Sequence, residues 1–132
     1  MATVQQLTNA GLANLTAAWA ASGSLPKYLQ WGTGSAAAKS ANVVTTTTTT
    51  EARTSGTVSV VTTSITGDTY QIVGTIAAAG ARTITEVGVF DAAGSNSPPT
   101  GGNMDIYGDF GGSSIALNAG DSITVTIKVQ FS

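Results

Sequence analysis

The chain has 132 residues, a formal net charge of −2, seven Asp and Glu against five Lys and Arg, and neither histidine nor cysteine. That balance excludes the basic stripe a nucleic-acid binder needs, disulfide or thiolate chemistry, and the side chain that most often serves as general base or metal ligand. Hydrophobic residues make up 42 % and charged residues 9 %. The chain is therefore not of the disordered type, and its charge falls far below the roughly quarter to third expected of a solvated surface, which points to coverage by other protein.

The length predicts one domain spanning 1–132, with a helical arm over 1–26, a strand and an extended Thr-rich arm over 27–55, and a β body over 56–132. No apolar run reaches the ~18–20 residues of a membrane span. No Lys or Arg precedes Lys27, so the basic region of a secretory signal is missing and synthesis and use in a cytoplasm are expected.

In chain order, the first signal is helical. Leu12, Leu15 and Trp19 recur at the i, i+3, i+7 spacing of one face. Asn9 is the expected N-cap, Gly23 the expected stop, and Pro26 closes the segment. "KYLQWGTG" (27–34) reads as a short strand entering a Gly-rich turn. "SAAAKSAN" (35–42) reads as a loop or weak helical turn. The tract that follows, "VVTTTTTTEAR" (43–53), is β-branched and uncharged until Glu51, with neither Gly nor Pro. Such residues favour extended backbone, so the tract is expected to form an extended arm or edge strand, on this sheet or on another subunit's, with "VV" and "EAR" pinning its ends.

A strand is expected over 56–68, with its antiparallel partner over 69–79 placing Tyr70, Ile72, Gly74 and Ile76 on one face. A third strand is expected over 81–92, a long turn over 94–102, a short strand over 103–112 and a connector over 113–122. In "SITVTIKVQFS" the alternation is strict: Ile123, Val125, Ile127, Val129 and Phe131 on one face, Ser122, Thr124, Thr126, Lys128 and Gln130 on the other. The fold class predicted is mainly β, an antiparallel β-sandwich with a short N-terminal helix and an extended arm.

Little in the chain suggests chemistry. Asp68, Asp91, Asp105, Asp109 and Asp121 lie in or beside turns without the spacing of a calcium loop, and read as turn formers. Glu86 shares a predicted strand face with Ile84 and Phe90; if that face is inside, the carboxylate needs a partner, with Arg53, Arg82 and Lys128 as candidates. There is no GxSxG elbow, and "WGTGS" (31–35) lacks the Lys and length of a phosphate loop. No catalytic site, cofactor or metal is expected.

Three stretches, "LTNAGLANL" (7–15), "YLQWGTG" (28–34) and "ITEVGVFDAAG" (84–94), occur in an order that resembles small virion structural proteins of tailed bacteriophages. The first two resemble the start of tail-fibre and tail-collar proteins. The portion from "EARTSGTVS" through "GDSITVTIKVQF" resembles stand-alone virion proteins, among them capsid cement or decoration proteins. The resemblance implies a β-rich fold, symmetric oligomers, often trimers, and no enzymatic activity.

The leading expectation is a capsid cement or decoration protein on the capsid exterior, made in the host bacterial cytoplasm, with the major capsid protein and its own copies (a homotrimer) as partners, and neither nucleic acid nor membrane. The alternative is a tail-fibre or tail-adaptor component contacting host-surface sugars. The assembly interface is expected at Leu12, Leu15 and Trp19 of the helix and at Val43, Val44, Thr46, Thr48 and Thr50 of the threonine tract.

Overall fold

The structure, a computed structural model, describes residues 7–23, 25–34 and 49–132. It is mainly β, with antiparallel sheets and one short N-terminal helix in a sandwich-like arrangement, as the alternation of the sequence predicts. In chain order the elements are α1 (Asn9–Ala20), β1 (Tyr28–Gly32), β2 (Thr54–Ser55), β3 (Thr57–Val61), β4 (Thr69–Ala77), β5 (Arg82–Ile84), β6 (Glu86–Phe90), β7 (Met104–Asp109), β8 (Ile115–Leu117) and β9 (Ser122–Gln130).

One sheet has the order β2-β1-β6-β7, a second β3-β4-β9, and β5 pairs with β8 in a small third ribbon. β4 and β9 pair along their whole length, from Thr69 against Gln130 to Ala77 against Ser122. The two larger sheets face each other across Leu29 and Trp31 of β1, Tyr70 and Ile72 of β4, and Val87 and Val89 of β6, all buried. Gly74 is where β4 passes under Leu29: a Cβ there would strike the Leu29 side chain, so the sheets approach this closely only because the residue has none.

The helix differs from expectation at both ends. Thr8, not Asn9, is the N-cap: its hydroxyl accepts from the Gly11 amide at 3.2 Å. The helix ends at Ala20 with Ala21 as C-cap, ahead of Gly23. Its inward face runs through Leu12, Thr16 and Trp19, an i, i+4, i+7 stripe, and Leu15 falls at the rim. Thr16 is tolerated inside because its hydroxyl returns to the Leu12 carbonyl at 3.0 Å. The helix packs on β3 and β4 of its own chain.

Two strands were shorter or more divided than their pattern implies. The 56–68 strand stops at Val61, because the Asp68 carboxylate gathers the amides of Thr63, Ser64 and Ile65 into a turn. The 81–92 strand breaks at Thr85, whose amide donates to Gly32, whose carbonyl accepts from Phe110, and whose hydroxyl donates to the Gly34 carbonyl. The break sends Ile84 into the main core while Glu86 and Phe90 occupy the opposite face of β6. The connector over 113–122 contains β8, which pairs with β5.

Candidate interaction surface

Most of the described carboxylates and the two described arginines are engaged in holding the fold. Asp68 is fully buried and, besides the three amides, accepts from Thr69 Oγ1 at 2.8 Å and Gln130 Nε2 at 2.9 Å. Burial alone would raise its pKa, but the Thr63, Ile65 and Ser64 amides and the Thr69 hydroxyl together hold it well below the ordinary carboxylate value. Asp91 accepts from the amide and side chain of Asn103, which hold its carboxyl low, as Arg53 does to a lesser degree. Asp109 and Asp121 accept from the amides of Gly111 and Asn118. These are turn roles. Among the described residues, no group of three His, Cys, Asp or Glu side chains stands ready to hold a metal ion, and no described helix is long and apolar enough to cross a membrane.

Glu86 is fully buried, but the partners differ from the predicted cations. Its carboxylate accepts from Tyr107 Oη at 2.8 Å and from the Gly34 amide at 3.2 Å. Arg53 and Arg82 are engaged elsewhere, because the break at Thr85 and the pairing of β6 with β7 put Tyr107 beside Glu86 instead. A Cβ at Gly32 would collide with this carboxylate. A recess of about 280 Å³ opens nearby, lined by Gly34, Thr85 and Asp109 among others.

Of the expected arm, residues 43–48 lie outside the described residues, and with them Val43, Val44, Thr46 and Thr48. The described end, 49–53, is not a strand but is tied firmly to the domain. Thr49 is fully buried. Thr50 is exposed, and its carbonyl accepts from Ser97 Oγ at 3.1 Å. Glu51 accepts from the Ala79 amide at 2.9 Å and faces Arg82 Nε at 3.2 Å. Arg53 donates to Gln30 Oε1 and to the carbonyls of Ala92 and Gly101 at 2.7–3.0 Å. The "EAR" stretch pins its end of the tract.

Of the expected helix residues, Leu12 is buried in the chain's own core and is no contact surface. Leu15 is 44 % exposed. Trp19 is half-buried, its ring 4.7 Å from that of Tyr70 and 5.6 Å from that of Phe131, the latter edge-on. Leu15, Ala18, Trp19 and Phe131, with Ser22, line an open groove of about 460 Å³ that is almost wholly apolar. Leu7, Val60 and Ile115 are further large apolar side chains left exposed. The structure thus brings Leu15 and Trp19 together and adds Phe131, which joins them only because β9 carries it back to the helix. The alternation had marked Phe131 as inward-facing, but nothing in the sequence pairs it with Trp19.

Comparison with protein-family models, with curated proteins and with solved structures gives no match. The fold and the surface define a β-sandwich-like protein with one helix and an open apolar groove.

Proposed function

We propose that this protein is a structural component of a bacteriophage virion, a capsid cement or decoration protein that binds the outer shell as a homotrimer and bridges neighbouring subunits of the major capsid protein. The observation that carries the reading is the division of labour among side chains. The described carboxylates and arginines that are buried are consumed by turns and loop anchors, whereas an apolar groove and several large apolar side chains remain open. A surface of that kind adheres rather than catalyses. The order of the three sequence stretches described above supports a virion component. A protein that binds only the assembled shell stabilises it by mass action.

The test is location and copy number. Quantified in purified particles, a cement protein is present in proportion to the shell protein, and its removal lowers the temperature at which the shell opens. Copies in proportion to a tail component would instead establish the tail-fibre or adaptor alternative.

A further inference from the structure

The segment from Leu7 to Gly23, which contains α1, carries no charged side chain. A helix on a protein surface normally turns charged and polar side chains outward. Here Leu7 is 58 % exposed and Leu15 44 % exposed, and Ala10, Ala17 and Ala18 are exposed as well. The inward stripe of Leu12, Thr16 and Trp19 packs on β3 and β4. The exposed side chains therefore form a second, outward apolar face. An apolar face of this kind marks a contact site.

Five residues of that face follow helical spacing. Leu7, Gly11, Leu15, Ala18 and Ser22 fall at i, i+4, i+8, i+11 and i+15, within a quarter turn of one another. The contacts agree at both ends. The Leu7 side chain lies over Gly11, where an added Cβ would come within 3.4 Å of Leu7 Cδ2. Leu15, Ala18 and Ser22 share the apolar groove with Trp19 and Phe131. The stripe is large at Leu7, absent at Gly11, large at Leu15, and small at Ala18 and Ser22. Turned end for end about a centre at Leu15, it complements itself: Leu7 comes over Ser22, Gly11 over Ala18, and Leu15 over Leu15.

We infer that this face is a twofold contact between two copies of the chain, with their α1 helices antiparallel and meeting at Leu15. Leu7 of each copy enters the other copy's groove between Ser22, Trp19 and Phe131. Gly11 and Ala18 have little or no side chain, so the helix axes can approach to about 8 Å, the near end of the usual range. A twofold contact sets one surface against a copy of itself. With no charge on this face, no like charges meet across it. A charged partner would instead lose hydration there and find no counter-charge. Pairing also covers Leu7, Leu15 and the groove in one contact. A face of about 23 Å by about 10 Å on each copy falls short of the ~1,000 Å² total of a stable interface. Copies therefore pair weakly when free and more fully when held side by side. The contact is distinct from a threefold association and does not depend on the virion reading.

Two measurements on the full chain test this. In sedimentation equilibrium the mean mass of the wild type should rise with concentration. Ala18→Asp should abolish that rise, and Leu7→Ala should weaken the pairing about tenfold. Both positions are exposed, so both variants should keep the wild-type circular dichroism spectrum. The chain has no cysteine, which allows a second measurement by position. Leu15→Cys lies on the axis and should form a disulfide-linked dimer with itself on mild oxidation. Gly11→Cys and Ala18→Cys should cross-link faster mixed with each other than either does alone. Ala17→Cys, exposed but off the stripe, should not cross-link. A wild-type mass independent of concentration, an Ala18→Asp protein that pairs like wild type, or Ala17→Cys cross-linking as fast as Leu15→Cys would each overturn the inference. Location and copy number in the particle are read separately, so the virion reading stands or falls on its own test.

Discussion

The guanidinium carbon of Arg53 lies 3.5 Å from the centre of the Phe90 ring. The contact joins the foot of the threonine tract to the outer face of β6, and the same guanidinium ties down Gln30 and the 92–101 loop through Ala92 and Gly101. A flat, delocalised cation both stacks and reaches several acceptors, which an ammonium does not do equally well. Arg53→Ala is expected to lower stability by about 3 kcal/mol, and Arg53→Lys to recover less than half of that loss. Urea unfolding of both variants checks this; a wild-type midpoint for the lysine variant would contradict it.

Gly32 and Glu86 form a second dependent pair. Adding a Cβ at Gly32 drives into the buried carboxylate, so Gly32→Ala should cost about 2 kcal/mol by overpacking. In a Glu86→Ala background the space is free, and the same substitution should cost close to nothing. A double-mutant cycle measures the coupling; additive losses would show that the two residues do not meet.

Leu12 and Leu15 lie one turn apart on α1 but are expected to behave differently. Leu12 is 6 % exposed, and Leu12→Ala should destabilise the fold by about 2–4 kcal/mol. Leu15→Ala should change stability by less than about 1 kcal/mol and, on the virion reading proposed above, weaken attachment to the particle. Thermal unfolding and particle co-sedimentation, run on both variants, separate the two roles.

At acid pH the governing group is Asp68. Its folded pKa is depressed, so its contribution is fully present above the ordinary value of 3.8 and is lost as pH falls toward the folded value. Glu51 and Asp91, also lowered, act in the same sense. Asp105, raised by burial and by the Asp91 charge, opposes them. Melting temperature should fall steeply below about pH 4, and Asp68→Asn should be less stable at neutral pH with a flatter acid limb. An acid limb unchanged by that substitution would remove Asp68 from the account.

At alkaline pH the group is Tyr70. Burial, with a smaller effect of Asp105, pushes its phenol up to about 12 from 10.0. The unfolded chain releases this proton first, so stability is fully present below pH ~10 and declines until about pH 12, by on the order of 2 kcal/mol in all. Tyr70→Phe loses the bond to the Pro26 carbonyl but should shed that alkaline decline. Unfolding curves across this range test the sign.

Much of the fold was legible because period two is a direct image of burial. β9 is half-buried at every odd position from Ile123 to Val129 and exposed at every even one from Ser122 to Gln130, as its sequence states. What escaped the pattern was set by long-range partners. Thr85 reads as an ordinary strand residue, yet its bonds to Gly32, Gly34 and Phe110 divide one strand into two. Glu86 advertised a need for a partner, but the choice of Tyr107 over an arginine depends on pairing with β7, which no local signal specifies. Of the candidate surface, Leu15 and Trp19 were legible from helical spacing. Phe131 required knowing that β9 runs beside β4 and brings its end back to the helix.

The strand order also dictates when the protein can fold. β3 and β4 are joined by a short turn and can form early as a local hairpin. The β6–β7 pair is likewise local, but β1 pairs with β6 more than fifty residues later, and β4 with β9 at similar separation. Loop closures of that length must be completed before the core contacts reward them. β1 therefore waits for β6, which ends at Phe90, and β4 stays half-paired until β9 has been made. The hairpin alone cannot shield Tyr70 and Ile72, so these side chains stay open to solvent until β9 and the facing sheet close over them.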